Sequence, residues 1–297
     1  MDIDGKLEPG RYIVAVSGGV DSVTLLHILR QQPDYRLTVA HFDHGIRSDS
    51  GEDEKQVRQL ARQYGLPYVY ERAYLGASAS EAVARAARYR FLHHVREAAA
   101  ATAVITAHHQ DDVLETAVMN IVRGTGRRGM TSLKSTDIVK RPLLHIPKAA
   151  IVRYARDNQL LWREDSTNVD TGYKRNYVRH NIMSRFSAAD RQNMHDIIVG
   201  MRSANSEIDH LLDQIVADMS FQGTLQRRQF ILLPHTVARE VMARWLQNNG
   251  VKDIDKKMLE RLIHAAKTFA PIKNVHVKQS WQMTINKDYL ALKCIER

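Results

Sequence analysis

The chain has 297 residues, 44% of them hydrophobic and 26% charged, which is enough for one large or two modest globular domains with real cores and shows no repeat or low-complexity stretch. Lys and Arg number 43 against 33 Asp and Glu, a formal net charge of +10 that points to a polyanionic partner, nucleic acid before membrane surface. A lone Cys294 excludes an internal disulfide framework or Cys-rich metal site and suits a reducing cytoplasm, while an acidic N-terminus and the lack of any spanning apolar run argue against export or membrane insertion.

Residues 10–150 alternate strand and helix. Arg11–Val16 reads as a strand that stops at Ser17, and Val20–Gln31 as a helix with Val20, Val23, Leu26 and Leu29 facing a core. Between them Ser17-Gly18-Gly19 makes a tight turn. Loop N–H groups and a helix N-terminus together attract anions, phosphate above all, and glycine lets the backbone come close. The G-x-x-x-x-G-K-[ST] spacing is missing and no lysine follows Gly19, so this is not a Walker A loop.

Leu37–His41 is a second strand, ending in the polar run His41-Phe-Asp-His-Gly-Ile-Arg47. Glu52–Tyr64 is an amphipathic helix stopped by Gly65, Tyr68–Glu71 a short strand and Ser80–Ala99 a long Ala-rich helix. Ala103–Ala107 is a strand that breaks at His108, and Asp111–Arg123 a helix ended by Gly124. This rhythm predicts an α/β fold with a parallel, doubly wound sheet, whose ligands bind beyond the carboxyl ends of the strands. Ser17, His41 and His108 all begin polar stretches there, so one cleft is expected to collect them.

Gly124-Thr-Gly-Arg127-Arg128-Gly129 is a glycine-basic loop, Ile138–Leu144 an extended segment, and Pro147 opens a helix to Asn158. Trp162–Asn168 is a polar loop and Lys174–Phe186 a basic helix. The domain boundary is expected near 190, with residues 1–190 catalytic and 191–297 a mostly helical domain. In it, Ala188–Met219 reads as one or two helices, Pro234–Asn249 and Lys256–Phe269 as others, and Asn274–Ile285 with Tyr289–Ile295 as a closing β-hairpin.

His108-His-Gln-Asp111-Asp112-Val-Leu-Glu115 sits where a strand hands over to a helix, with Asp112 and Glu115 on one helix face. Carboxylates at that edge suit Mg2+ on a triphosphate or the ammonium group of a substrate. The spacing does not match the H-E-x-x-H of a zinc site.

The Ser17-Gly-Gly-Val-Asp-Ser22 loop resembles that of the N-type ATP pyrophosphatases, which cut ATP between the α and β phosphates. With His41–Arg47, Ala84–Tyr89, Thr106–Thr116, Arg123–Gly126, Arg141–Leu144, Glu164–Asn168 and Arg175-Asn176, in order over roughly the first two-thirds of the chain, the sequence resembles the tRNA(Ile)-lysidine synthetase family. The resemblance implies an ATP-dependent ligation of L-lysine to the 2-carbon of the wobble cytidine of the CAU-anticodon tRNA(Ile), through an adenylated cytidine, in the cytoplasm. It implies ATP bound by Ser17, Gly18, Gly19, Val20, Asp21 and Ser22 with Ala40 and His41 on the adenine, and Asp21 as a ligand of Mg2+. Arg88 would meet developing charge, and Asp112 and Glu115 would bind lysine and help free its ε-amine of a proton. Arg123, Arg127, Arg128, Arg175, Arg179 and Arg185 would hold tRNA phosphate. A homodimer is compatible with this reading, and the oligomeric state is not fixed by sequence. Two departures stand out: many relatives have a further C-terminal domain, and many have leucine where Ile46 stands. The rivals are a tRNA thiolation enzyme on the same scaffold, which needs cysteines, an amidotransferase such as GMP or NAD synthetase, and an inert RNA-binding relative.

Overall fold

The computed structural model describes the chain except residues 2, 4–6, 46–49, 77–79, 164–173, 279 and 296–297, together with the side chain of Lys174. Ile46, Arg47 and the Glu164–Asn168 motif therefore lie outside the described residues. The chain divides into two compact units, Met1–Met201 and Arg202–Arg297.

The first unit is built on a parallel sheet of β1 (Gly10–Ala15), β2 (Tyr35–Asp43), β3 (Tyr68–Arg72), β4 (Ala103–Ile105) and β5 (Val139–Lys140), in the order β3-β2-β1-β4-β5. Val14 at its centre is in register with Val39 on one side and Ile105 on the other. The central strands are apolar on both faces because helices cover both. Tyr12 and Val14 pack with α1 (Val20–Leu29), α2 (Ser50–Gln63) and α6 (Lys148–Asp157) through Leu25, Leu29, Val57 and Ile151. Ile13 and Val104 turn the other way, onto Phe91, Leu92 and Val95 of α3 (Glu81–Ala98). The sheet is thus doubly wound, and its strand order reverses direction at β1, so the loops leaving β1 and β4 diverge and leave a crevice at their carboxyl ends.

A third cluster joins α4 (Gln110–Val122) to the segment after Lys174 through Val113, Leu114, Val178, Met183 and Ile198. That segment differs from the single helix its sequence predicts. It is one turn of α-helix, α7 (Lys174–Tyr177), then a π-helix Val178–Ile182 and a 3-10 turn Met183–Arg185. The Met183 N–H bonds Val178 O, an i→i−5 bond, and both side chains enter the same core; a regular 3.6-residue turn does not align that spacing. The glycine-basic loop also holds a one-turn helix, α5 (Arg127–Met130).

The second unit begins within α8 (Ala188–Asp218) and packs α9 (Arg227–Leu232), α10 (His235–Asn248) and α11 (Lys256–Thr268) against an antiparallel sheet around Phe230, Trp245, Leu262 and Met283. The sheet has five strands, ordered β6-β7-β10-β9-β8, where the sequence suggests one hairpin. The expected first arm is two strands, β8 (Lys273–Lys278) and β9 (Trp281–Ile285), that pair with each other before β10 (Tyr289–Cys294). Apolar and polar residues alternate through that reversal without glycine or proline to mark it. The small hairpin β6 (Ser220–Phe221) and β7 (Thr224–Gln226) turns on Gln222 and Gly223, both at positive φ (49° and 79°), as a two-residue loop requires. Among the described residues no helix is long and apolar enough to cross a membrane.

Candidate active site

The loop after β1 is held open by its own side chains. Ser17 N–H donates to Ser22 Oγ at 3.1 Å, and Ser22 Oγ donates to Gly19 O at 3.0 Å. Gly18 takes φ +94°, a conformation that favours glycine. Gly19 is the N-cap of α1 and has no side chain to satisfy the helix's first N–H groups, so these and the helix dipole are offered to an external anion.

The loop forms one wall of a cleft of about 500 Å³. Ala40 and His41, in the carboxyl-terminal half of β2, Thr106 and His108, after β4, and Arg88 of α3 are among the residues that line the rest. The three strand ends thus meet as their sequence suggests. His41 is buried, stacks on Tyr70 and bonds Val16 O through Nδ1 at 2.7 Å, which fixes the ring against β1. Burial pulls its pKa below the ordinary value, against the opposing pull of that hydrogen bond and of Asp43.

Beyond the cleft-lining His108 and Arg175, the first turn of α4 carries acidic side chains. Asp112 accepts the His109 N–H at 3.0 Å as the returning half of a capping box. Burial opposes ionisation of Asp112, but the His109 and His108 rings, the Arg175 guanidinium and that N–H outweigh it and hold the carboxyl well below the usual carboxylate range. His108 is pushed down to about 3, by burial first and then by Arg88, Arg141 and Arg85, against the pull of Asp112. Its ring is neutral at physiological pH, with Nδ1 2.8 Å from Thr106 Oγ1.

Glu115, one turn further on, is 2% exposed. Arg175 Nε lies 3.0 Å from its Oε2 and Arg179 Nε 2.7 Å from its Oε1, while Arg175 Nη2 reaches Asp112 Oδ1 at 3.2 Å. The sequence puts both arginines on RNA; the structure places them against buried Glu115, with Arg175 of α7 also reaching Asp112. Arg123 and Arg185 are exposed, and Arg127 and Arg128 half-buried.

Arg88 is half-buried at the cleft wall, and burial lowers its pKa from a value so high that it stays charged. Beside it, Arg141 Nη2 donates to Tyr89 Oη at 3.1 Å, and the Arg85 and Arg88 guanidinia lie 4.8 and 5.6 Å from the Tyr89 ring centre. The sequence marks Arg141 only as the start of a stretch matching the family, with no role, and gives no signal for Lys148, whose Nζ lies 2.6 and 2.7 Å from the two Asp21 oxygens.

Among the described residues no three His, Cys, Asp or Glu side chains converge on a ready-made metal site. Asp21 offers one carboxylate at the phosphate loop. Mg2+ commonly takes one or two carboxylates plus substrate phosphates and water, so this donor set fits a metal that arrives with a nucleotide.

An open parallel sheet with an uncapped glycine loop at its switch point defines a phosphate-binding α/β domain, and comparison with known proteins specifies its class. A family model described as a PP-loop domain matches residues 3–186. The tRNA(Ile)-lysidine synthase of Nitrosomonas europaea is 30% identical over 295 residues, covering 91% of this chain and 62% of that protein. The enzyme of the same name from Thermotoga maritima is 30% identical over 284 residues, covering 92% and 67%. The chain belongs to the tRNA(Ile)-lysidine synthase family of PP-loop proteins. It spans about two-thirds or less of the length of these relatives. Among solved structures, the U34-tRNA thiolase NcsA from Methanococcus maripaludis is 17% identical, with a TM-score of 0.44 over 83% of this chain and 75% of that one, a likeness too slight to extend to function.

Proposed function

We propose that this protein ligates L-lysine to the 2-carbon of the wobble cytidine in the CAU anticodon of tRNA(Ile), forming lysidine, AMP and pyrophosphate. The observation that carries the reading is the carboxylate pair Asp112 and Glu115 next to the cleft, matched to organic cations and held by the cleft-lining Arg175 and by Arg179. A lysine ammonium belongs to the same chemical class as the guanidinium that Asp112 already accepts.

In the first half-reaction the cytosine 2-oxygen attacks the α-phosphorus, the bond to the β-phosphate bridging oxygen breaks, and pyrophosphate leaves. The Ser17–Ser22 loop and the α1 N-terminus hold the phosphates in line, with Ala40 and His41 in the carboxyl-terminal half of β2 beside the adenine. Mg2+ bound to the triphosphate and Asp21 would offset phosphate charge. Arg88, charged and half-buried, faces the developing negative charge. In the second half-reaction the lysine ε-nitrogen attacks C2, and the C2–oxygen bond breaks with AMP as the leaving group. The amine must first lose a proton. Asp112, held far below its ordinary pKa, suits holding an ammonium ion and is a poor base, which separates binding from deprotonation.

In this reading the exposed Arg123 and Arg185 and the half-buried Arg127 and Arg128 would meet tRNA phosphate, and the second unit is the expected site of further tRNA contact in the cytoplasm. The test is order of release. Pyrophosphate should leave when ATP and a CAU-anticodon tRNA are present without lysine, and AMP only once lysine is added. Pyrophosphate release that needs no RNA would overturn the reading.

A further inference from the structure

A phosphate loop without its own lysine leaves the charge of a triphosphate to be met from elsewhere. Here a lysine arrives from 127 residues further on: Lys148, the first residue of α6, grips both oxygens of Asp21. Its location is set by packing. Ile151, fully buried, and Ala155, on the same face, anchor α6, and Ile151 shares its core with Leu25 and Leu29 of α1. Pro147 at the N-cap fixes the entry of the chain.

Two features do not follow from folding alone. A lysine in the first turn of a helix opposes the helix dipole, which favours acidic residues there. And neither α1 nor α6 has a side-chain cap, while Asp21, in the first turn of α1, takes the Lys148 ammonium with the His109 Nε2 3.7 Å away. Asp21 lines the cleft, and the pair remains 26% and 37% exposed, so it is a weak ion pair that a better anion can displace.

We propose that Lys148 is the phosphate-binding cation of this site: it rests on Asp21 in the free protein and transfers to the β- and γ-phosphate oxygens when nucleotide binds. This rests on the cleft being the ATP site. As the α-phosphorus–oxygen bond breaks, its electron pair goes to pyrophosphate, and the Lys148 ammonium meets that added charge. Asp21 is released at the same moment for a cation carried by the nucleotide.

The test is competition of inorganic pyrophosphate, ATP and adenosine against a fluorescent ATP analogue on the full chain, with Lys148→Met, Lys148→Arg and Asp21→Asn. Lys148→Met should bind pyrophosphate and ATP ~10–100-fold more weakly, the loss of a charge-assisted contact, with adenosine unchanged. Lys148→Arg should recover most of the affinity. Asp21→Asn, which frees the ammonium, should bind pyrophosphate at least as well as the unmodified protein. A merely structural ion pair predicts the opposite pattern: Lys148→Met and Asp21→Asn lower the thermal midpoint alike and pyrophosphate binding does not change. That pattern, or an Asp21→Asn loss as large as that of Lys148→Met, overturns the proposal while leaving the ATP site in place. An unmodified chain that binds neither ATP nor pyrophosphate overturns both.

Discussion

Glu115 accepts the Arg175 Nε at 3.0 Å and is 2% exposed, so a buried carboxylate next to the cleft is neutralised by an arginine from a segment 60 residues away. Arg179 completes the arrangement at 2.7 Å. Removing the carboxylate takes away the anion that the two guanidinia share, while Arg175 keeps its contact with Asp112. Glu115→Ala should therefore cost about 1–3 kcal/mol of stability, below the value for a fully buried pair because both arginines keep some contact with water. If the site binds lysine, the KM for lysine should rise about tenfold or more with ATP affinity little changed. Equal losses for ATP and lysine would instead make Glu115 part of a nucleotide or metal site.

Asp21 is the carboxylate of the phosphate loop, and its pairing with Lys148 is partly exposed. Asp21→Ala should leave the protein folded, with at most about 1 kcal/mol lost, and should reduce pyrophosphate release by about a hundredfold or more. A coupled pyrophosphate assay decides the matter; release at the unmodified rate would remove Asp21 from the mechanism.

His108 carries a pH signature. Its pKa in the folded chain is about 3, against an ordinary value of 6.5, because burial and Arg88 penalise the imidazolium. The unfolded chain takes up the proton first as pH falls. The stability contributed by the neutral ring is thus fully present above pH 6.5 and is lost progressively between 6.5 and 3. The His108 ring signal should show no titration by NMR between pH 8 and about 4.5, and His108→Asn should flatten the stability profile in the acid range. A His108 midpoint near 6 would contradict the half-buried, arginine-flanked setting.

The net charge of +10 and the exposed Arg123 and Arg185 predict tRNA binding that weakens steeply with salt. Affinity should fall by about tenfold or more between 50 and 200 mM monovalent salt. A flat response would mean that these charges are a solvated surface.

What the sequence revealed and what it concealed divide by range. The Ser17–Ser22 loop was legible because strand, glycines and helix start are contiguous, and Gly18 needs its positive φ for reasons local to the turn. The sheet followed from alternation, and the cleft from the rule that polar residues at strand ends gather there. Lys148 on Asp21 and Arg175 on Glu115 were not legible, since each joins distant segments and a basic residue on a helix reads as surface until its partner is known. The π-helix escaped for a different reason: its i→i−5 bond is selected by the burial of Val178 and Met183 together, a tertiary effect that helical periodicity does not encode.

The most direct measurement is transfer of labelled lysine to tRNA. The full chain would be incubated with Mg-ATP, labelled lysine and either unmodified CAU-anticodon tRNA(Ile) or the same tRNA with the wobble cytidine replaced. The account predicts label that requires ATP and the wobble cytidine and that survives mild alkali, because a carbon–nitrogen bond to the base persists where an aminoacyl ester is hydrolysed. Label lost in alkali, or pyrophosphate released with no lysine incorporated, would contradict it and return the substrate of this cleft to question.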